Sequence, residues 1–223
     1  MVDVAKNLRE VLSHLPEGVE LVAISKFHPE EDILAAYAEG QRVFGESHEQ
    51  ELRQKAEDLP KDIKWHFIGH LQTNKVKYIA PYIAMIEAVD TLKLLQEINK
   101  QAAKHGRVID VLLELHIAME EAKSGFTLDG CREMLAEGAW RELHNVHICG
   151  LMMMASNVPD EQQIRREMLT AADFFDEIKA KYFADDPRFA VRSWGMSHDY
   201  TIAVTCRSTL VRVGTAIFGP RAY

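Results

Sequence analysis

The chain has 223 residues, 47% of them apolar, which is enough to bury a sizeable core in one large domain or two small ones. A formal net charge of -8 argues against general binding to DNA, RNA or an anionic membrane surface, each of which needs a basic face. No stretch is long and apolar enough to span a bilayer, and the opening MVDVAKNLRE lacks the apolar core of a secretory signal, so a cytoplasmic location is expected.

Apolar runs with strand character alternate along the chain with amphipathic stretches. A helix leads, from about Val2 to His14. The first strand spans Val19 to Ser25, and a helix follows from Glu30 to Glu39 with Pro29 at its start. QRVFGE is a second strand, followed by a charged helix from about His48 to Asp58. KWHFIG is the third, leading to a helix from about Thr73 to Ile79, with Thr73 or Asn74 as its cap. AMIEAV is the fourth, followed by a helix from Thr91 to Lys104. VIDVLLEL, from Val108 to Leu115, is the clearest strand; a loop and a helix from about Leu128 to Glu137 follow it. HNVHICGLM is the sixth, and the longest helix runs from about Asp160 to Tyr182. FAVRSWG is the seventh strand and STLVRVG the eighth.

Strict alternation implies a parallel sheet with right-handed crossovers. Eight such units within about 200 to 250 residues fit a single (β/α)8 TIM barrel with an extra N-terminal helix. The alternative is an open doubly wound sheet, which normally carries a Gly-rich turn after its first strand. Here that turn is SKFHPEED, with no glycine. No linker or composition break interrupts the chain, so one domain over residues 1–223 is expected.

In such a barrel, function gathers at the C-terminal strand ends, with a phosphate site after strands 7 and 8. Strand 1 ends at Lys26, on one face with Val22 and Ile24. Two readings stand for it: an amine of lowered pKa that forms a Schiff base, or a snorkelling side chain at the rim. After strand 7, Gly195 precedes Ser197, and after strand 8, Gly214 precedes Thr215. Glycine lets backbone N–H groups approach an anion, the hydroxyl adds a donor, and a helix start adds its positive end. Ser197 also fits a plain N-cap. On strand 8, Arg212 shares a face with Leu210 and Gly214 while Val211 and Val213 take the other, which points Arg212 into the barrel mouth. Amine, arginine and phosphate cradle together describe a bound phosphorylated aldehyde, and pyridoxal 5'-phosphate fits.

Other constellations are weaker. Cys131, Cys149 and Cys206 lie far apart without a CxxC pair, so neither a disulfide framework nor a zinc site is expected. His66 and His70 are four apart but lack the HExxH glutamate, and Gly69 argues against a helix there. His144 and His147 would point to opposite sides of a strand. The EEAKSGF stretch reads as a loop at the mouth, with Lys123 a solvated charge or a secondary amine.

The motifs AISKFHP, FGES, WHFIGHLQTNK, EEAKSGF, GLMMMA, WGMSHD and STLVRVGTAIFGPR occur in order over nearly the whole chain. As a set they resemble the YggS/PROSC family of pyridoxal phosphate homeostasis proteins, single barrels similar to the N-terminal domain of alanine racemase. The resemblance implies that Lys26 carries the cofactor and that Ser197, Gly214 and Thr215 hold its phosphate. It further implies that Arg212 faces the pyridine nitrogen, with Met152 to Met154 near the ring and Gly195 and Met196 cofactor-binding beside Ser197. The chain departs from the family pattern at Ser47, where an asparagine is usual and a cofactor contact is expected, and at Glu114-Leu115-His116, where the family reads close to QVN.

The family is understood to bind and buffer the cofactor, with apo-enzymes as the expected acceptors and no robust catalysis; a monomer is expected. Two enzyme readings stay open. An amino-acid racemase would need a second base, for which Tyr200 and Lys123 are candidates. A cofactor-free Schiff-base aldolase would use Lys26 with acid/base residues such as Glu87 and Glu114.

Overall fold

The computed structural model describes residues 2–118 and 124–220, whose backbone closes into a ring of eight parallel strands, β1 to β8 in sequence order. The strands are β1 Glu20–Ile24, β2 Val43–Glu46, β3 Lys64–Phe67, β4 Met85–Val89, β5 Ile109–Leu115, β6 Val146–Met153, β7 Val191–Ser193 and β8 Leu210–Val213. Closure pairs β1 with β8, placing Val22 beside Arg212. The fold is the (β/α)8 barrel, not the open sheet.

Helices wrap the outside: α1 Val4–Ser13, α2 Glu30–Ala38, α3 Glu49–Asp58, α4 Val76–Ile79, α5 Leu92–Lys104, α6 Leu128–Glu137, α7 Glu161–Tyr182, α8 Tyr200–Thr205 and α9 Thr215–Phe218. Several caps are written into the sequence: Asp3, Thr91, Thr127 and Asp160 each accept a first-turn N–H. The segment before α4 differs from expectation. It opens as a 3-10 turn over Thr73–Lys75, with Gln72 at the cap position and no side-chain capping bond. The short α8 and α9 are too brief to display a helical period, which is why periodicity alone did not delimit them.

Each strand serves two apolar layers, as a parallel sheet covered on both faces must. Leu21, Ala23, Val211 and Val213 join the large core beneath the helices. Val22, Ile24, Val43 and Leu210 fill one part of the barrel interior, and Met85, Leu112, Cys149 and Met152 another. One interior glycine is demanded by space: a Cβ on Gly150 would run into the Val191 backbone carbonyl, whereas one on Gly45 would press only on the Ile24 and Val22 side chains. The leading helix α1 docks on α9, where the Asn7 amide donates to the Ile217 carbonyl at 3.0 Å.

Candidate functional site

A cavity of about 360 Å³ opens at the C-terminal end of the barrel, lined from the loops after every strand but β4. Lys26 enters it two residues beyond β1, half-buried. The backbone there turns sharply: Phe27 sits at φ 64, in the left-handed region that a bulky residue rarely adopts. Its N–H donates to Glu51 Oε1 at 2.6 Å. Behind this turn, Lys55 Nζ donates to the Ser25 carbonyl at 2.8 Å, to Glu46 Oε1 at 2.8 Å and to Glu51 Oε1 at 2.7 Å. Ser25 adds its hydroxyl to Glu46 at 2.6 Å. A buried ionic cluster thus fixes the chain on either side of Lys26. Burial pushes the Glu46 carboxyl up to about 6, against the pull of Lys55 and Ser25.

The β7 and β8 loops meet at one corner. Gly214 N–H donates to Ser197 Oγ at 3.1 Å, which ties the two loops together beside Thr215. α9 starts at Thr215, and the first N–H groups of any helix lack intrahelical acceptors. Ser197, Thr215, Met196 and His198 line the cavity there. Ser197 is not the N-cap of α8; Asp199 occupies that position and accepts from Met196 N–H at 2.5 Å. Gly195 does not line the cavity. It sits at φ 98 against Ala203 and Tyr200, where a Cβ would meet Ala203 Cβ at 2.5 Å, and it lets the loop turn.

Arg212 lies on the cavity floor, 4% exposed. Nη1 donates to the Ser193 carbonyl at 2.8 Å and to the Ser193 hydroxyl, and Nη2 to the Met153 carbonyl at 2.9 Å. Those are three of its five donors, and the others have no protein acceptor among the described residues. Glu87 Oε2 stands 3.7 Å from Nη1. Burial alone would raise the Glu87 pKa, but His66 at 2.7 Å, Arg212 and the Ser193 hydroxyl at 2.6 Å outweigh it and hold the carboxylate ionised. Burial pulls the Arg212 pKa down, and Glu87 opposes that.

The remaining wall comes from Ser47, Ile68, Gly69, His70, Glu114, Ser124 and Met154. Met154 lines the cavity, whereas Met152 is wholly buried in the barrel interior and Met153 contributes only its carbonyl to Arg212. Ser47 Oγ lies 3.3 Å from His48 Nδ1. The other sequence candidates fall elsewhere. Tyr200 is turned against α1, its hydroxyl 3.2 Å from His14 Nδ1. His66 and His70 pair separately, with Glu87 and Asp90. His144 lies in the loop before β6, and His147 sits between Asp110 and Asp186. The three cysteines are buried and form no disulfide. Lys123 lies outside the described residues.

Sequence reading missed the Glu46–Glu51–Lys55 cluster. The signal was present: Glu51 and Lys55 are four apart on a helix, the spacing of an ion pair. Pattern could not show that this pair turns inward beneath Lys26.

The model of the alanine racemase N-terminal domain matches residues 2–222. The pyridoxal phosphate homeostasis protein of Aquifex aeolicus is 37% identical over 205 residues, covering 92% of this chain and 88% of that one. Its Escherichia coli counterpart is 34% identical over 242 residues, covering 100% and 99%. The structure of PipY from Synechococcus elongatus with PLP bound superposes with a TM-score of 0.86 at 33% identity, covering 97% of this chain and 100% of that one. Alanine racemase from Streptomyces coelicolor shares the fold at 20% identity, with a TM-score of 0.77 over 97% of this chain and 58% of the enzyme.

Proposed function

The chain belongs to the alanine racemase N-terminal domain family, among its pyridoxal phosphate homeostasis proteins, and on that premise we propose that it binds pyridoxal 5'-phosphate and serves in vitamin B6 homeostasis. The observation that carries this reading is the convergence of Lys26, the Ser197–Gly214 corner and the buried Arg212 on one cavity. Their chemistry fits the cofactor group by group. Lys26 supplies the amine for a Schiff base. Ser197, Thr215 and the Gly214 corner offer hydroxyl and N–H donors to a phosphate. Arg212 is a pure donor on the floor, suited to the ring nitrogen. Met154 and Met196 give the ring apolar contact.

When bound, pyridoxal phosphate supplies an aldehyde carbon for amines and a ring that withdraws electrons. Arg212 keeps its proton, so the acceptor it faces stays unprotonated and is a weak electron sink. That favours a carrier over a racemase. Tyr200, the candidate second base, points at His14 instead of the cavity. We place the protein in the cytoplasm as a monomeric reservoir whose cofactor passes to apo-enzymes.

Reconstitution tests this reading. Protein mixed with pyridoxal phosphate should gain a visible absorption band that Lys26→Ala abolishes. Wild-type protein that gains no band removes the carrier reading. Rapid exchange of an amino acid's α-proton by the reconstituted protein would replace it with the racemase.

A further inference from the structure

The cofactor reading leaves one wall of the cavity without a task. β5 lies four strands from β1 around the closed ring, so Glu114 faces the cavity from across the barrel relative to Lys26. Glu114 is 2% exposed. Ser124 donates its hydroxyl to Oε1 at 2.9 Å, while Oε2 is buried with no hydrogen-bond partner among the described residues. An unsatisfied carboxylate oxygen is costly inside a protein and asks for a donor.

The arrangement is built by the backbone. Phe126 N–H donates to the Glu114 carbonyl and His116 N–H to the Phe126 carbonyl, each at 2.8 Å, folding the Ser124–Phe126 segment onto the end of β5. Gly125 permits this at φ 119, where a Cβ would lie 2.8 Å from His116 N. Ser124 is thereby pinned over one oxygen of Glu114 and leaves the other open.

Several charged groups act on Glu114. Asp90 repels it and is itself paired with His70 at 3.3 Å; Arg212 on β8 and His70 attract it; Lys26 shares the cavity. Burial outweighs the attraction and raises the carboxyl above its usual range, so a cation brought alongside would relieve the cost of its buried charge. The missing partner must therefore be a donor, and a cation with N–H groups satisfies both the open oxygen and the charge.

We propose that Glu114 receives the ammonium group of a primary amine entering the cavity and takes the proton that the amine must shed to become a nucleophile. The ammonium and the carboxylate become neutral amine and carboxylic acid, with no other reactant consumed. Neutral amine is the form that competes with Lys26 for an aldehyde. Glu114 would thus set how readily bound cofactor passes to another amine, a consequence that rests on the cofactor reading above.

Two measurements test this. In protein loaded with pyridoxal phosphate, added ethylamine should speed release of the cofactor from the protein, read as cofactor passing through a protein-retaining filter, relative to release without amine in the same variant. Glu114→Gln, which keeps the shape and the Ser124 contact, should lower that acceleration by about tenfold or more and flatten its pH dependence. In cofactor-free protein, carbon-13 NMR of the Glu114 carboxylate should show its titration midpoint falling with ethylammonium but not with tetramethylammonium, which has no N–H. Equal acceleration and an equal pH profile in Glu114→Gln, or a midpoint indifferent to ethylammonium, overturns the proposal. Absence of any visible band in wild type would instead sink the cofactor reading, and the NMR measurement would still judge Glu114.

Discussion

Glu87 and Arg212 form a buried charge pair beneath the cavity, and cutting it from either side should be expensive. Glu87→Leu leaves the guanidinium, 4% exposed, without its carboxylate at 3.7 Å and strands His66 Nδ1 and the Ser193 hydroxyl. Removing one partner of a buried pair costs about 3–5 kcal/mol. A domain's whole stability is typically about 5–15 kcal/mol, so this is a large share. Arg212→Leu should also be costly, because Glu87 then keeps only His66 and the Ser193 hydroxyl and the Ser193 and Met153 carbonyls lose a donor. The double variant leaves no orphan charge. It should fall short of the sum of the single costs by roughly 1–3 kcal/mol, the coupling seen between residues in one network. Urea unfolding of the four proteins at neutral pH measures this directly. Additivity within about 0.5 kcal/mol would refute the claim that Glu87 compensates Arg212.

Gly214→Ala sets a Cβ 3.0 Å from the Ile24 carbonyl oxygen and should push the β8 corner off Ser197, weakening pyridoxal phosphate binding about tenfold in a spectral titration, or roughly 1.4 kcal/mol. Gly150→Ala drives a methyl into the Val191 carbonyl and should exceed the usual overpacking cost of about 1–3 kcal/mol, read as a large fall in urea midpoint. Glu46, pushed up to about 6 by burial, binds a proton in the folded state where the unfolded chain has lost it. Stability should therefore fall as pH rises from the usual carboxylate range through about 6, by about 2 kcal/mol in all, and Glu46→Gln should remove that slope. Glu87 has the opposite sign: its depressed pKa supports stability that is lost only below the usual carboxylate range.

Alternation of apolar runs and amphipathic stretches was enough to identify the barrel, because each strand must be apolar on both faces and each helix on one. The site was legible wherever a residue type was incongruous, as with Lys26 at the end of an apolar run or Arg212 between valines. Residues whose role depends on tertiary approach were not. Met152 and Met154 look equivalent in the run and share a face by alternation, yet only Met154 reaches the cavity: it lies just past the end of β6 at the mouth, whereas Met152 lies within the strand, deeper in the barrel interior. Gly195 reads as a phosphate glycine beside Ser197, but its φ of 98 and its contact with α8 give it a turn to make. Lys55 belongs to a helix whose pattern shows only its charge, and it is buried with Nζ on the Ser25 carbonyl. Glu114 stood out as a departure from the family pattern and as an acid/base candidate for an aldolase; the fold-back of Ser124 shows which of its oxygens is open.

The central claim is that Lys26 is the amine that holds the cofactor. Borohydride reduction of protein loaded with pyridoxal phosphate, followed by digestion and peptide mass analysis, tests it most directly. The expected result is one reduced adduct on the peptide that contains Lys26. An adduct confined to other lysines, or none on protein that shows the visible band, would contradict it.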